Sequence, residues 1–253
     1  MSALLMSLYG LAVYGFFFVT FLYAIGFVGN LPFLPVTIDG PAAFAWHDAL
    51  LVDVLLLGLF AVQHSVMARP AFKRAWTRIV PEPMERSTFV LFASAAIALL
   101  CWQWRPIPAP LVWQVTSAAG IYALQTVFWA GWLVLLVSTF LINHFELFGL
   151  RQVWSALTKR PMPAPDFRTP GLYRHVRHPI YLGFLLGFWA TPVMSAGHLL
   201  FAVATTGYIL IGIWFEERDL VAQFGERYRT YRRQVSMLIP LPRRTRAGEP
   251  AQR

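Results

Sequence analysis

The sequence predicts an all-α protein, a polytopic membrane bundle of five to six transmembrane helices, and three observations carry that prediction. Of its 253 residues, 57% are hydrophobic and only 13% are charged, whereas a soluble domain carries about 25% charged residues. The mean hydropathy is +0.55. Apolar stretches of about 20 residues, enough to cross the roughly 30 Å hydrocarbon core of a bilayer, recur along the chain between polar, proline-rich or basic segments.

Four spans are predicted in the first part of the chain. They cover residues 4–28, 47–67, 87–104 and 116–142. No Lys or Arg precedes the first apolar stretch, which is also too long for a signal peptide, so we expect it to remain as a membrane helix. Loops rich in proline follow the first and third spans. We therefore interpret residues 1–142 as a four-span membrane bundle.

A second segment, residues 143–239, follows the four spans and precedes a basic tail, residues 240–253. Its first part is polar and contains three prolines, which prevent one continuous helix because proline removes a donor and restricts the residue before it. Two apolar limbs then follow, 179–194 and 197–215, with a break near residues 192–197. We expect these limbs to form a helical hairpin.

The basic residues are distributed unevenly along the chain. Of the 21 Lys and Arg residues, five lie in residues 69–86, six in 143–178 and nine after residue 215, which leaves only Arg105 for the opposite face. The positive-inside rule then predicts that both termini are cytoplasmic. Six spans satisfy this topology, and five spans with a re-entrant segment are the alternative. Because basic loops account for the net charge of +9, nucleic acid is not a predicted partner.

Two polar clusters flank the predicted hairpin. A cationic turn with His175, Arg177 and His178 precedes it, and Glu216 and Glu217 follow it. If the hairpin folds back, both clusters lie at one membrane face and form a polar pocket there. Adjacent helix positions differ by about 100° in direction, so one carboxylate would face inward while the other stays wet. The inward carboxylate needs a partner, such as Arg177, His178 or a bound ligand.

Two further histidines lie near predicted cytoplasmic span ends. His64 stands beside Ser65, and His144 stands beside Asn143. We expect these four side chains to form a small polar chamber next to the cationic turn.

The sequence does not predict a metal site or a familiar hydrolase or nucleotide motif. His175 and His178 are three residues apart, but no third ligand stands at a typical spacing and Pro179 interrupts a helix. The single cysteine, Cys101, cannot form an internal disulfide or a cysteine cluster. Neither a Gly-x-Ser-x-Gly elbow nor a Gly-x-Gly-x-x-Gly or P-loop fingerprint occurs.

The two clusters together resemble a known superfamily. The pattern Arg177-His178-Pro179-x-Tyr181-x-Gly183, followed by Glu216-Glu217 and by Phe224-Gly225-x-x-Tyr228-x-x-Tyr231, is similar to the isoprenylcysteine carboxyl methyltransferases. Upstream motifs, including 64–69, 81–87, 102–106 and 140–152, look like the NnrU-related bacterial methanethiol S-methyltransferases. The resemblance covers about 170 residues in total.

This resemblance implies a cofactor, a reaction and a set of site residues. The cofactor would be S-adenosylmethionine, and the reaction would be methyl transfer to methanethiol with release of dimethyl sulfide. The implied cofactor-binding residues are Tyr173, His178, Pro179, Tyr181, Glu216, Glu217 and Tyr228. Residues 143–239 would then be the catalytic segment, with the cofactor pocket at the cytoplasmic face of an inner membrane.

The thiol side of the reaction needs its own residues. The thiolate is the competent nucleophile, so a base or a cation must stand beside the thiol. His64 and His144 are the candidate bases, Asn143 and Ser65 would position the substrate, and Arg177 would lower the thiol pKa by proximity.

Three alternatives remain open from the sequence alone. The superfamily also contains methyltransferases that act on a prenylcysteine carboxylate or a lipid amine. A related C-terminal pattern appears in membrane reductases that use NADPH. A non-enzymatic membrane protein that binds haem through span histidines is the third. The sequence gives no oligomeric state.

Overall fold

The computed structural model describes residues 2–164 and 166–240, so that the predicted basic tail lies outside the described residues except for residue 240. Within this part of the chain the structure has ten α-helices and one short two-stranded sheet. The elements in chain order are α1 (Ala3–Val28), α2 (Trp46–Ala68), α3 (Pro70–Trp76), α4 (Glu82–Gln103), β1 (Leu111–Gln114), α5 (Ala118–Ile142), α6 (His144–Leu147), α7 (Leu150–Thr158), a 3-10 helix (Gly171–Arg174), α8 (Pro179–Trp189), β2 (Val193–Ser195), α9 (Ala196–Phe224) and α10 (Glu226–Gln234).

Five helices are long and apolar enough to cross a membrane, which confirms the predicted polytopic bundle. They are α1, α2, α4, α5 and α9. Each has 22 to 29 residues, or about 33–44 Å at 1.5 Å per residue. Serine side chains cap three of them: Ser2 at α1, Ser117 at α5 and Ser195 at α9 each accept a backbone N–H.

The limbs of the predicted hairpin differ in length from the prediction. Helix α8 ends at Trp189, so the limb expected over 179–194 is helical over only 11 residues. Pro192 disfavours the helical conformation at Thr191, and the chain continues as β2, which pairs antiparallel with β1. The other limb was predicted over 197–215, but α9 runs on through Phe224. The two glutamates therefore lie inside α9 rather than after it.

The short helix and the strand together can make a sixth crossing. Strand β1 lies in the connection between α4 and α5, and β2 pairs with it. Arg177 precedes α8 and β2 follows it, so β2 lies at the end of the bundle opposite Arg177. Eleven helical residues cover about 16 Å, and the six residues to Ser195 cover about 20 Å when extended. Five long helices are shown, and the composite segment would supply the sixth span that the predicted topology needs. The ribbon of β1 and β2 was not predicted, because strands of four and three residues are too short to show an alternation of apolar and polar residues.

Glycines let α8 approach α5 closely. A Cβ atom at Gly183 would stand 2.6 Å from the carbonyl oxygen of Gly131, and one at Gly187 would stand 2.9 Å from the indole of Trp132. Small residues at such positions allow helix backbones to touch in a membrane. Helix α5 belongs to the predicted segment 1–142 and α8 to the predicted segment 143–239, so the two segments pack directly against each other. The division into these two segments stays a prediction.

A loop between α1 and α2 is anchored to the start of α9. Asp39 accepts hydrogen bonds from Asn30 at 2.6 Å and from Ser195, and His198 Nδ1 lies 3.0 Å from its carboxylate. Burial raises the pKa of Asp39, but these hydrogen bonds and the His198 charge outweigh burial and leave the pKa below its ordinary value. This contact fixes the end of the bundle away from the glutamates.

Candidate active site

The cationic turn and the second glutamate meet in one buried corner. Arg177 Nε donates to Glu217 Oε1 at 2.7 Å, and His178 Nε2 lies 3.1 Å from the same oxygen. The side chains of Arg177, His178 and Glu217 are 11%, 3% and 11% exposed. The predicted meeting of the two clusters is therefore confirmed, and the inward carboxylate has the partners that the sequence suggested.

The backbone holds this corner in place. Arg177 N–H donates to the carbonyl of Ser236 at 2.8 Å, and His178 N–H donates to that of Met237 at 3.1 Å. The Arg177 guanidinium also donates to the carbonyls of Arg232 and Val235. Pro179 follows at the first position of α8, where a missing N–H costs nothing. The turn is thus tied both to α9 and to the chain after α10.

Glu216 is more exposed than Glu217, although its Oε2 also lies 3.9 Å from Nδ1 of His178. Its side chain is 44% exposed, and its Oε2 accepts a hydrogen bond from the Tyr181 hydroxyl at 2.9 Å. The expectation that one carboxylate is buried and the other wet is confirmed. The negative charge of Glu217 is already paired with Arg177. Glu216 is therefore the glutamate whose carboxylate can still bind a ligand.

Three tyrosines surround the corner on its polar side. Tyr231 donates to the carbonyl of Tyr173, and the Tyr173 hydroxyl lies 3.5 Å from the carbonyl of Ser138. Burial raises the pKa of Tyr173 and Tyr228, and it raises that of Tyr231 to about 12, so these phenols stay neutral at physiological pH. Tyr228 is 2% exposed, and its hydroxyl finds no hydrogen-bond partner within the described chain.

A second hydrogen-bond cluster joins α2 to α9. His64 Nδ1 lies 2.9 Å from the Tyr208 hydroxyl, and Ser65 Oγ lies 3.1 Å from the same atom. The sequence predicted His64 and Ser65 here but missed Tyr208. A usable signal existed, because Tyr208 lies eight residues before Glu216 and therefore shares its helix face. Gly212 lies between them on that face, and a Cβ atom there would meet nothing within 4 Å.

His144 and Asn143 have hydrogen-bond partners other than that of His64 and Ser65, and the single chamber expected for these four side chains stays a prediction. His144 Nε2 lies 2.8 Å from the Tyr14 hydroxyl, and Nδ1 lies 2.9 Å from that of Thr139. Burial lowers the pKa of His144. Asn143 donates to the carboxylate of Glu146 at 2.7 Å. The cluster around His64 joins α2 to α9, whereas the cluster around His144 joins α1 to α5, and the two local motifs do not encode these tertiary contacts.

Arg86 is a further residue that the sequence prediction missed. Its Nε donates to the carbonyl of Leu147 at 2.7 Å, and its guanidinium stands 5.1 Å from the ring of Phe89. The ring of Phe89 also packs against His64, with 4.9 Å between the two ring centroids. Arg86 is one of the five basic residues expected in a loop over 69–86, whereas it lies in the first turns of α4, partly buried.

Two cavities accompany these clusters. An open one of about 560 Å³ lies on the surface beside the tyrosines, lined by Phe167, Thr169, Glu226, Arg227 and Thr230, and none of the predicted cofactor residues lines it. A smaller one of about 270 Å³ lies between α2 and α9 and reaches Tyr208. The described residues contain no group of three or more His, Cys, Asp and Glu side chains that could hold a metal ion.

The chain is similar to proteins of known and unknown function. The family model described as "Protein of unknown function (DUF1295)" matches residues 68–235. The methanethiol S-methyltransferase of Mycobacterium tuberculosis is 57% identical over 244 residues, which is 96% of this chain and 99% of the relative. Methanethiol S-methyltransferase 1 of Bradyrhizobium diazoefficiens is 56% identical, covering 92% of this chain and 81% of the relative. Nurim of Xenopus laevis is 30% identical over 68% of this chain and 66% of that protein. No solved structure matches.

Proposed function

Because the chain belongs to the DUF1295 family and to the family of proteins named methanethiol S-methyltransferase, we propose that it transfers a methyl group to methanethiol and releases dimethyl sulfide. The observation that carries this function is the 57% identity to such a protein over 96% of the chain. The chain is a multi-pass membrane enzyme. The prenylcysteine, lipid-amine, reductase and haem-binding alternatives are not favoured by the relatives named above.

We propose S-adenosylmethionine as the methyl donor, which supplies a methyl group bound to a positively charged sulfur. The residues around Glu216 fit such a group. The half-exposed Glu216 carboxylate can face a cation, and the ring of Tyr181 beside it offers a π face. The buried Tyr228 hydroxyl without a partner can bond a polar atom of the nucleotide. Gly212 leaves open space on the same helix face as Glu216.

The buried corner would hold this pocket in shape. Arg177 and His178 are both committed to Glu217, and Arg177 is committed to two carbonyls as well. We therefore assign Arg177 to positioning, rather than to lowering the thiol pKa by direct contact as the sequence suggested. Tyr173 and Pro179 support the same corner, Tyr173 through the bond to its carbonyl and Pro179 by starting α8.

We propose His64 as the group that receives the thiol proton. A free thiol titrates near 8.5 or above, so only a small fraction is thiolate at neutral pH. His64 Nδ1 lies 2.9 Å from the Tyr208 hydroxyl, and that hydroxyl reaches an apolar cavity between α2 and α9. His144, the other predicted base, has hydroxyl partners at both ring nitrogens. His144 and Asn143 then serve to fix α6 against α1.

The surroundings favour the reaction by excluding water. A thiolate attacking a sulfonium brings opposite charges together, and both charges disappear as the bond forms. A dry site assists this because water would stabilise the separated ions. Residues on α2 and α9 near Tyr208 are apolar. By the positive-inside rule we place this site at the cytoplasmic side of an inner membrane, with both termini cytoplasmic.

The function is tested with purified protein in detergent, S-adenosylmethionine labelled in its methyl group, and methanethiol. We expect labelled dimethyl sulfide in the headspace, measured by gas chromatography. Glu217→Gln is expected to lower it through weaker donor binding. Labelled product from a prenylcysteine analogue, with none from methanethiol, would replace the proposed acceptor.

A further inference from the structure

The cavity between α2 and α9 has features that the proposed function does not yet use. It measures about 270 Å³ and is lined by apolar faces of both helices. The lining residues include Leu57, Gly58 and Ala61 on α2, and Leu200, Ala204 and Tyr208 on α9. Their spacing of three and four residues places each set on one helix face. The cavity is therefore a gap between two parallel membrane helices.

The wall of this cavity carries one polar cluster. Tyr208 lines the cavity, and its hydroxyl lies within hydrogen-bond distance of His64 Nδ1 and Ser65 Oγ. The other lining hydroxyl, that of Thr205, is bonded to the carbonyl of Phe201 in its own helix. Beyond Tyr208 the same face of α9 continues through the open position Gly212 to Glu216, about 12 Å further along the helix axis.

We propose that this cavity is the methanethiol site, and that Tyr208 passes the thiol proton to His64. This assignment rests on the proposed function and deepens it. The acceptor would lie on the apolar side of Tyr208 and the methyl donor on the polar side, near Gly212 and Glu216. The methyl group would cross between them beside the Tyr208 hydroxyl.

Size and polarity support a small alkyl thiol as the occupant. Pockets for drug-sized ligands measure about 300–1,000 Å³, so a cavity of about 270 Å³ lies just below that range and has room for a methyl thiol. Its walls offer methyl groups and aromatic edges, which suit the methyl end. The single polar cluster at Tyr208 suits the S–H end. Methanethiol also dissolves in lipid, so a gap within the bundle is accessible to it.

The proton step balances within these residues. The thiol S–H bond breaks, and its proton goes to the Tyr208 oxygen while the Tyr208 proton goes to His64 Nδ1. The thiolate sulfur then forms a bond to the methyl carbon. The bond from that carbon to the donor sulfur breaks, and its electron pair stays on the donor as a neutral thioether. His64 returns its proton to solvent after each turnover.

The first test fills the cavity. Gly58→Leu places a side chain into it, and Gly207→Leu is the matched control, because Gly207 is also free of neighbours within 4 Å but does not line the cavity. We expect Gly58→Leu to raise the KM for methanethiol by at least about 10-fold, because it adds four carbon atoms and a single methylene in an apolar pocket is already worth about 10–200-fold. Affinity for S-adenosylhomocysteine, measured calorimetrically, should stay within about twofold of wild type, since the donor lies beyond Tyr208.

The second test removes the hydroxyl. Tyr208→Phe is expected to lower kcat/KM for methanethiol about 10²–10⁴-fold near pH 7. The deficit should narrow above about pH 9, where thiolate forms in solution without help. A role in packing alone would give a deficit independent of pH, which would overturn the proton relay.

The outcomes separate the two levels of the proposal. No dimethyl sulfide from the wild-type protein would reject the proposed function itself. Wild-type turnover with an unchanged methanethiol KM in Gly58→Leu would reject the cavity as the acceptor site while leaving the function standing. A loss of S-adenosylhomocysteine affinity in Gly58→Leu would reassign the cavity to the donor.

Discussion

Replacing Glu217 by Gln tests whether the buried corner maintains the site. Glu217 accepts from Arg177 Nε at 2.7 Å and pairs with His178 Nε2 at 3.1 Å, with both partners almost wholly buried. Removing one member of a buried ion pair costs about 3–5 kcal/mol, because the other charge is left uncompensated. Glutamine keeps one acceptor oxygen, so we expect the lower end, about 3 kcal/mol.

That magnitude corresponds to a measurable loss of thermal stability. For a chain of this size, about 3 kcal/mol lowers Tm by roughly 6–12 °C. Glu216→Gln is the matched control. Its side chain is 44% exposed and receives one bond from Tyr181, so its cost should stay below about 1 kcal/mol. The assay is tryptophan fluorescence during heating in detergent, combined with calorimetric affinity for S-adenosylhomocysteine.

The double variant with Arg177→Met sharpens this test. Removing both charges eliminates the uncompensated cation, so the double variant should be less unstable than the sum of the two single changes. The reasoning is refuted if Glu217→Gln keeps the wild-type Tm and affinity, or if Glu216→Gln has the larger effect on Tm.

Three further predictions follow from other parts of the molecule. Gly183→Ala should lower Tm strongly, because its Cβ would press on an α5 carbonyl at 2.6 Å, whereas Gly207→Ala, with open space around it, should not; heating curves in detergent compare them. The folded pKa of Asp39 lies below its unfolded value, so its stabilisation is present above about pH 4 and is lost as pH falls through the folded pKa; Asp39→Asn should lower Tm at pH 7, and the difference from wild type should shrink in acid. His64→Gln should reduce dimethyl sulfide production about 10²–10⁴-fold at neutral pH, while His144→Ala should mainly reduce stability; equal loss of turnover in both would contradict the choice of His64.

Much of the architecture was predictable because a bilayer constrains a chain strongly. Backbone groups in lipid must bond within their own helix, so long apolar stretches identify α1, α2, α4, α5 and α9 without further information. The distribution of Lys and Arg predicts which helix ends lie at the same membrane face, because basic loops favour the cytoplasmic side. The meeting of Arg177 with the glutamates was predictable because each cluster lies at one end of an apolar limb.

Other features depended on contacts between distant elements. The extent of α8 was mispredicted because hydropathy does not distinguish an apolar helix from an apolar strand, and β2 exists only by pairing with β1. Tyr208 was missed because its position eight residues before Glu216 gains a meaning only once α2 brings His64 against it.

The sequence by itself determined that this chain is a multi-pass membrane protein and predicted that one of the two adjacent glutamates faces inward, since length, hydropathy and helical direction are local properties. Only the tertiary structure decided which histidine lies beside Tyr208 and where an apolar cavity remains. Those depend on how α1, α2 and α9 pack, and packing is a sum of many weak contacts between residues far apart in the chain.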